Sequence, residues 1–151
     1  MGQNLNVPNF EGEQPGGTYY MSPLTVLLFG VVDNATADGR DRMNAYTWQE
    51  FEGDRGTNNI TLCLLADLKN RWLLSRPNYR TLTYIADNCG DQNKNKIVIR
   101  FLMWLVECRI FPEVKICLLV KGHMKNAAAG RLFTLLKLSY HRKNIYVWWS
   151  L

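Results

Sequence analysis

The sequence lacks an apolar run long enough to cross a membrane. Its longest apolar stretches, such as residues 24–32 and 97–106, are interrupted by polar residues well short of the roughly 20 apolar residues that a membrane-spanning helix needs. The first residues, MGQNLNVPNFEGEQPGG, also lack the basic and then apolar pattern of a secretory signal. We therefore expect no membrane partner, and a nuclear or cytoplasmic protein rather than a secreted one.

Histidine and cysteine are too few and too scattered to predict a zinc site. The chain has 2 histidines and 4 cysteines, and no two cysteines form a CxxC pair. Three of the cysteines lie inside apolar runs, where a thiol behaves as a small core residue. This use of cysteine favours a reducing compartment, such as the cytosol or the nucleus.

The common motifs for nucleotide binding and for serine hydrolases are missing. Neither GxGxxG nor GxxxxGK[ST] occurs, and there is no GxSxG sequence. A metallophosphatase would carry Asp-x-His and GHxH, but the chain has VVDN and KGHMKN at the corresponding places. These absences argue against a P-loop NTPase, a dinucleotide-binding enzyme, an α/β-hydrolase and a metallophosphatase.

Acidic residues are scarce in the second part of the chain. From Lys94 onward there are 11 Lys and Arg against 2 acids, a net charge of +9 (11 − 2), whereas residues 1–93 carry 7 against 11, a net charge of −4 (7 − 11). A basic part of this kind can hold a polyanion such as nucleic acid. Taken alone, however, such charge is more typical of a solvated, lysine-rich helix face.

The apolar pattern predicts an α/β fold with helices on the faces of one mixed sheet. The first two strands are expected to form an antiparallel hairpin, with the third strand parallel to the first. Residues 1–21 are interpreted as a disordered tail, residues 22–144 as the folded domain and residues 145–151 as an aromatic tail. The predicted strands are 22–34, 44–51, 81–86 and 114–120, and the predicted helices are 60–74, 91–109 and 127–142.

The second predicted helix carries the widest apolar stripe. Its spacing predicts one buried face formed by Ile97, Phe101, Trp104, Leu105 and Cys108. Val98, Leu102 and Val106 widen this stripe, so we expect it to be the most buried helix.

Two aspartates, each followed by asparagine, end apolar strands. Asp33 ends the first predicted strand and Asp87 follows the third. Ligands of α/β sheets bind at the carboxyl ends of central strands, and Mg²⁺ is satisfied by one or two carboxylates together with water and phosphate. The two aspartates therefore predict a Mg²⁺ site, with capping of strand-end turns as the alternative that the pattern leaves open.

His123 follows the fourth predicted strand and completes the candidate catalytic set with Asp33 and Asp87. It could orient a water, donate to a phosphate or bind the metal, although a lone histidine at a strand end is more often a surface residue. Cations near these strand ends are candidates for contacts with nucleic acid. They are Lys94, Lys96, Lys121, Lys125 and Arg131.

Four stretches together resemble a eukaryotic domain family related to transposase and integrase catalytic cores. They are LTVLLFGVVDN, AYTWQEFEGDRGTNNITLCLL, YIADNCGDQNKNKIVIRFLMWLV and LLVKGHMKNAAAGRLFTLLKLSYH, within residues 22–144. The resemblance implies a ribonuclease H-like fold, in which Asp33 and Asp87 would match the acids of the first and fourth strands. That fold has three strands before its first helix, and only two are visible here.

The resemblance also implies a third acid shortly after KGHxKN, and this acid is missing. Residues 126–133 read NAAAGRLF, and no Asp or Glu follows Glu113. A two-metal site without its third carboxylate binds metal poorly and cleaves poorly. We therefore expect a truncated or degenerate transposase-like domain that acts on DNA, with weak or no Mg²⁺-dependent phosphodiester chemistry. The alternatives are a non-catalytic nucleic-acid-binding module and a protein-interaction module on the same fold.

Overall fold

A computed structural model of the chain describes residues 2–34, 42–54, 56–75, 80–87, 95–119 and 127–145. The chain divides into two compact units. The terminal unit comprises Gly2–Asp54 and Asn126–Leu151, and the central unit comprises Arg55–Lys125. Both units contain helices and strands, which confirms the expected α/β class.

The terminal unit contains a three-stranded antiparallel sheet in the order β1-β2-β3, together with helix α3. Its elements are β1 (Gly2–Val7), β2 (Leu24–Asp33), β3 (Arg42–Gln49) and α3 (Ala127–His141). Four successive residues of β2, at positions 26–29, are buried. Because successive side chains of a strand point to opposite faces, both faces of the sheet are covered there.

The interpretation of residues 1–21 as a disordered tail is wrong for their first part. Residues 2–7 form β1, in register with β2 from Gly2↔Phe29 to Val7↔Leu24. The segment GQNLNV has few apolar residues, but its Leu5 and Val7 are 6% and 4% exposed and pack with Val26, Tyr140 and Ile145. The edge of β2 and the side chain of Tyr140 supply partners that local sequence cannot reveal.

The central unit contains a parallel pair of strands joined through a helix, with a second helix before it. Its elements are α1 (Thr57–Asn70), β4 (Leu82–Asp87), α2 (Lys96–Glu107) and β5 (Val114–Leu119). The strands align from Leu82↔Val114 to Asp87↔Leu119. The core of this unit consists of Leu68, Val98, Leu102, Leu105 and Phe111.

The predicted apolar stripe of α2 is confirmed at Leu105 and at the widening residues Val98 and Leu102, but not at Ile97 and Trp104. The side chains buried in the core are Val98, Leu102 and Leu105, at 1%, 3% and 0% exposure. Ile97 and Trp104 are 40% and 45% exposed instead. A wide apolar stripe does not determine which of its residues are buried in the core. That depends on the strands and the helix that pack against α2.

Helices α1 and α2 end in the same hydrogen-bonded motif. After α1, Leu73 N donates to Leu68 O at 3.0 Å, and after α2, Ile110 N donates to Leu105 O at 3.0 Å. In each case the preceding residue has a left-handed backbone, with φ of 59° at Trp72 and 55° at Arg109. Both are Schellman motifs without the usual glycine, accompanied by apolar residues that belong to the central core.

The expectation of one mixed sheet is not met in the described residues. Strand β2 is hydrogen-bonded to β1 on one side and to β3 on the other, while β4 pairs with β5 in a separate sheet. Strands β2 and β4 are therefore not hydrogen-bonded to each other in the described residues. Strand β1, which pairs with β2, was absent from the sequence prediction.

Candidate nucleic-acid interface

Asp33 lies at the carboxyl end of β2, opposite Arg42 in the antiparallel register with β3. Opposite charges in directly facing positions of an antiparallel pair attract each other. This placement gives Asp33 a cross-strand role that requires no metal ion.

Asp87 lies at the carboxyl end of β4, with Leu119 of β5 as its Cα partner. Because β4 and β5 are parallel, the chain leaves both strands at the same edge of their sheet. Residues 88–94 and 120–126 follow from that edge but lie outside the described residues, and so do four predicted site residues. These are Lys94, Lys121, Lys125 and His123.

The two aspartates belong to strands of different sheets and different units. Within the part of the chain that the structure describes, no group of three or more His, Cys, Asp or Glu side chains could hold a metal ion. The Mg²⁺ site of Asp33 and Asp87 stays a prediction, because the side chain of Asp87 lies outside what the structure describes. Arg131, predicted to contact nucleic acid, lies in the second turn of α3 in the terminal unit.

Helix α2 begins at Lys96, and its start is capped by the side chain of Asn95. Asn95 Oδ1 accepts a hydrogen bond from Ile97 N at 3.0 Å. An asparagine cap satisfies one of the backbone N–H groups that have no partner within the helix. The cap therefore fixes where the helical spacing of the exposed α2 residues begins.

Three exposed residues of α2, spaced four apart, form what we call the α2 stripe: Lys96, Arg100 and Trp104. Residues four apart lie above one another on a helix, so the three side chains share one side of α2. The buried residues Val98 and Leu102 lie on the other side of the helix, against the core. Packing of the central core therefore turns the stripe towards solvent.

Trp104 is 45% exposed, and its ring stacks on that of Phe101 with centroids 6.0 Å apart and planes at 22°. One side of the indole is thus supported by the protein, while much of its surface is accessible. Neighbouring Ile99 and Met103 are 41% and 58% exposed. Aromatic rings in such positions stack with nucleic-acid bases.

The cations of the α2 stripe are not neutralised within the described structure. Ion pairs among the described side chains include Arg71 with Asp67 at 2.7 Å and Lys115 with Glu113 at 3.6 Å, but none that involves Lys96 or Arg100. Cations without a protein partner are available to phosphates. The stripe thus combines two exposed cations with one exposed aromatic surface.

Lys96 was predicted from the sequence as a contact, whereas Arg100 and the outward position of Trp104 were not. The spacing of Lys96, Arg100 and Trp104 was visible in the sequence, and a cation every four residues on an apolar helix is a signal for a binding face. The assignment of Trp104 to the core concealed it.

The described helices include none long and apolar enough to cross a membrane. The fold and the α2 stripe thus describe an α/β protein with a basic and aromatic helix face. The chain belongs to the family described as "Domain of unknown function (DUF7869)", whose match covers residues 18–146. No curated protein and no solved structure matches the chain.

Proposed function

We propose that this protein is a transposase- or integrase-like domain that binds nucleic acid, in the first place DNA, and has weak or no Mg²⁺-dependent phosphodiester chemistry. The observation that carries the binding part is the α2 stripe, with Lys96 and Arg100 unpaired among the described residues and Trp104 45% exposed. The net charge of +9 from Lys94 onward, the difference between 11 Lys and Arg and 2 acids, supports it.

The ribonuclease H-like relation is part of the same proposal. In its support, an antiparallel hairpin ends at Asp33, and a parallel strand-helix-strand unit carries Asp87 at its carboxyl edge. Two-metal chemistry needs acids that converge on shared ions. Strand β2 is hydrogen-bonded to β1 and β3 within its own sheet. The missing third acid, with no Asp or Glu after Glu113, is why we propose weak or no cleavage.

The phosphate contacts can be tested by measuring binding to a fluorescent DNA duplex by anisotropy over a range of salt concentrations. Each lost phosphate contact lowers the slope of log affinity against log salt by about 0.9. Lys96→Ala and Arg100→Ala should each reduce the slope by about this amount. Lys69→Ala is the matched control, because Lys69 is an exposed lysine near the end of α1, on another helix of the same unit.

Slopes that stay unchanged in both stripe variants would contradict the proposal. Binding of DNA with no salt dependence, or no binding at all, would favour the protein-interaction module instead.

The stacking contact can be tested with a single-stranded oligonucleotide. Trp104→Ala should weaken binding about 10- to 100-fold, since stacking one base on an aromatic ring contributes about 1–3 kcal/mol. The salt slope should stay the same, because no charge is removed. Trp72→Ala is the matched control, since Trp72 is 78% exposed but lies beyond the end of α1. Equal losses in the two variants would show that Trp104 is not a specific contact.

The chemical part can be tested with labelled DNA and either Mg²⁺ or Mn²⁺. The unmodified chain should cut no faster than an Asp87→Asn variant. Ala129→Asp places an acid near the position where the resemblance implies one, and a gain of cutting in this variant would support a transposase-like ancestry. Robust cutting by the unmodified chain, lost in Asp87→Asn, would overturn the proposal of weak or no chemistry.

A further inference from the structure

The terminal unit contains a cleft of about 440 Å³ that the proposed function does not use. This volume lies within the range of about 300–1,000 Å³ that is typical of ligand sites. The cleft lies where the chain turns back after β1, beside the last turn of α3. Its lining residues are Asn6, Pro8, Asn9, Phe10, Gly12, Gln14, Thr18, Tyr19, Met21, Pro23 and Tyr140.

Hydrogen bonds hold the walls of the cleft in place. Asn9 and Ile145 exchange two backbone bonds of 2.8 Å, and the side-chain amide of Asn9 donates to the backbone oxygens of Tyr140 and Lys143. The hydroxyl of Tyr140 accepts from Asn6 N at 3.1 Å and donates to Asn6 O. The ring of Tyr140 is thereby fixed at one wall, so a ligand meets a preformed site.

On the opposite side, the chain forms a short 3-10 turn at Gly16–Thr18. Gln14 Nε2 donates to Thr18 O at 2.8 Å, and Thr18 Oγ1 donates to Pro15 O at 2.7 Å. These bonds order the residues immediately before Tyr19. The position of the Tyr19 ring at the rim of the cleft is thus set by a hydrogen-bonded turn.

The chemistry of the lining is aromatic, proline-rich and neutral. It consists of three aromatic rings, two prolines and three side-chain amides, with one glycine, one threonine and one methionine, and no charged side chain. A phosphate or a carboxylate would find no cation among these residues. Two of the rim residues, Tyr19 and Met21, are 71% and 64% exposed. Apolar surface exposed around a cleft marks a place where a ligand binds.

We propose that this cleft binds a proline-rich peptide in the polyproline II conformation. Proline rings pack against aromatic side chains, and the backbone carbonyls of such a peptide have no internal hydrogen bonds, so they can accept bonds from the side-chain amide of Asn6 and the second amide hydrogen of Gln14. A proline-rich peptide is already extended before it binds, so binding restricts few of its rotatable bonds and costs little conformational entropy. Such a peptide is also neutral, so it requires no charged partner. The inference rests on the terminal unit and does not depend on the α2 stripe.

The probe is an oligoproline peptide of about ten residues, long enough to extend beyond the cleft at about 3.1 Å per residue. Amide shifts of the ¹⁵N-labelled full chain should move at the lining residues during a titration. A glycine- and serine-rich peptide of the same length is the peptide control, since it lacks a preformed conformation.

Two pairs of variants test the site. Tyr19→Ala should weaken binding about tenfold, because it removes an aromatic wall, whereas Tyr20→Ala should not, since Tyr20 is 91% exposed but does not line the cleft. Gly12→Leu should block binding, whereas Gly17→Leu should not. A Cβ at either glycine meets no atom within 4 Å, so both variants should fold, and only Gly12 lines the cleft.

The proposal is overturned if no lining residue shifts at about millimolar peptide, a concentration that detects even weak binding. It is also overturned if the glycine- and serine-rich peptide binds equally well, or if Tyr20→Ala weakens binding as much as Tyr19→Ala. Saturable shifts of the lining residues with oligothymidylate, and none with oligoproline, would assign the cleft to single-stranded nucleic acid instead.

Discussion

Replacing Tyr140 by phenylalanine removes one oxygen atom and tests how β1 is attached to α3. The hydroxyl accepts from Asn6 N at 3.1 Å and donates to Asn6 O, and Tyr140 is 9% exposed. Tyr140→Phe keeps the ring in the core but leaves both backbone groups of Asn6 without this partner. One net hydrogen bond contributes about 0.5–1.5 kcal/mol, so two give about 1–3 kcal/mol. Because Asn6 is exposed at the edge of the sheet, water can replace part of the lost hydrogen bonding. We therefore expect the unfolding free energy to fall by about 1–2 kcal/mol.

The measurement is urea unfolding followed by circular dichroism, with hydrogen exchange of residues 2–10 as a local readout. The midpoint should fall with an unchanged slope, and the amides of β1 should exchange faster. Tyr20→Phe is the control, since Tyr20 is 91% exposed and its change should stay within about 0.5 kcal/mol. Equal stability and equal exchange in Tyr140→Phe and the original chain would refute the claim that this hydroxyl anchors the strand.

Four further predictions concern the central unit. Leu105→Ala should lower the unfolding free energy by about 2–5 kcal/mol in a urea titration, because Leu105 is 0% exposed. Leu135→Ala on α3 is the control, since Leu135 is 63% exposed and its replacement should change the unfolding free energy little. Burial raises the pKa of the Cys63 thiol from 9.0 to about 11. Iodoacetamide at neutral pH should therefore label the exposed Cys108 first, as mass spectrometry would show. Equal labelling of the two cysteines would contradict this. Since this pKa is raised in the folded state, the stability linked to Cys63 should be full below pH 9.0 and decrease as the pH rises towards about 11, which urea midpoints across that range would check. Asn95→Ala should cost about 1 kcal/mol in thermal unfolding and Asn95→Asp much less, because only the alanine lacks an oxygen to cap α2; equal costs would show that the cap is not stabilising.

Much of the secondary structure could be predicted because the apolar pattern is strong in the segments that form the cores. The strand predicted at 22–34 is observed as Leu24–Asp33, and the helix predicted at 127–142 as Ala127–His141. Both signals are local, since a buried strand is a continuous apolar run and an amphipathic helix repeats every 3.6 residues. The helix predicted at 91–109 is shorter, Lys96–Glu107, because Asn95 caps its start.

The parts that could not be predicted depend on distant contacts. Strand β1 has few apolar residues, and it forms through the edge of β2 and the hydroxyl of Tyr140, a residue 134 positions from Asn6 along the chain. The same strand occupies the place beside β2 that the one-sheet prediction gave to β4. A pattern of hydrophobicity indicates that a strand exists, but it does not determine which strands pair.

For the candidate site, the sequence indicated the helix but not which of its sides is exposed. Cations are visible in any sequence, so Lys96 was among the predicted contacts, and this stays a prediction. The placement of Trp104 depends on which border of the apolar stripe meets Leu68 and Phe111, and this is decided by packing in the central core. The carboxylate pair, Asp33 and Asp87, rested on the prediction that their strands are neighbours, and the described sheets do not pair them.

The two helix ends at Trp72 and Arg109 give this chain a way to gain stability without a change to either proposed binding surface. A left-handed backbone costs a residue with a side chain about 1–2 kcal/mol that glycine does not pay. Trp72→Gly and Arg109→Gly should therefore each raise the unfolding free energy by up to about 1 kcal/mol, after the greater freedom of glycine in the unfolded chain is subtracted. Neither residue belongs to the α2 stripe or lines the cleft. A chain carrying both glycines would be a more stable parent protein. Destabilising variants made in it, such as Leu105→Ala, could still fold and be assayed for binding.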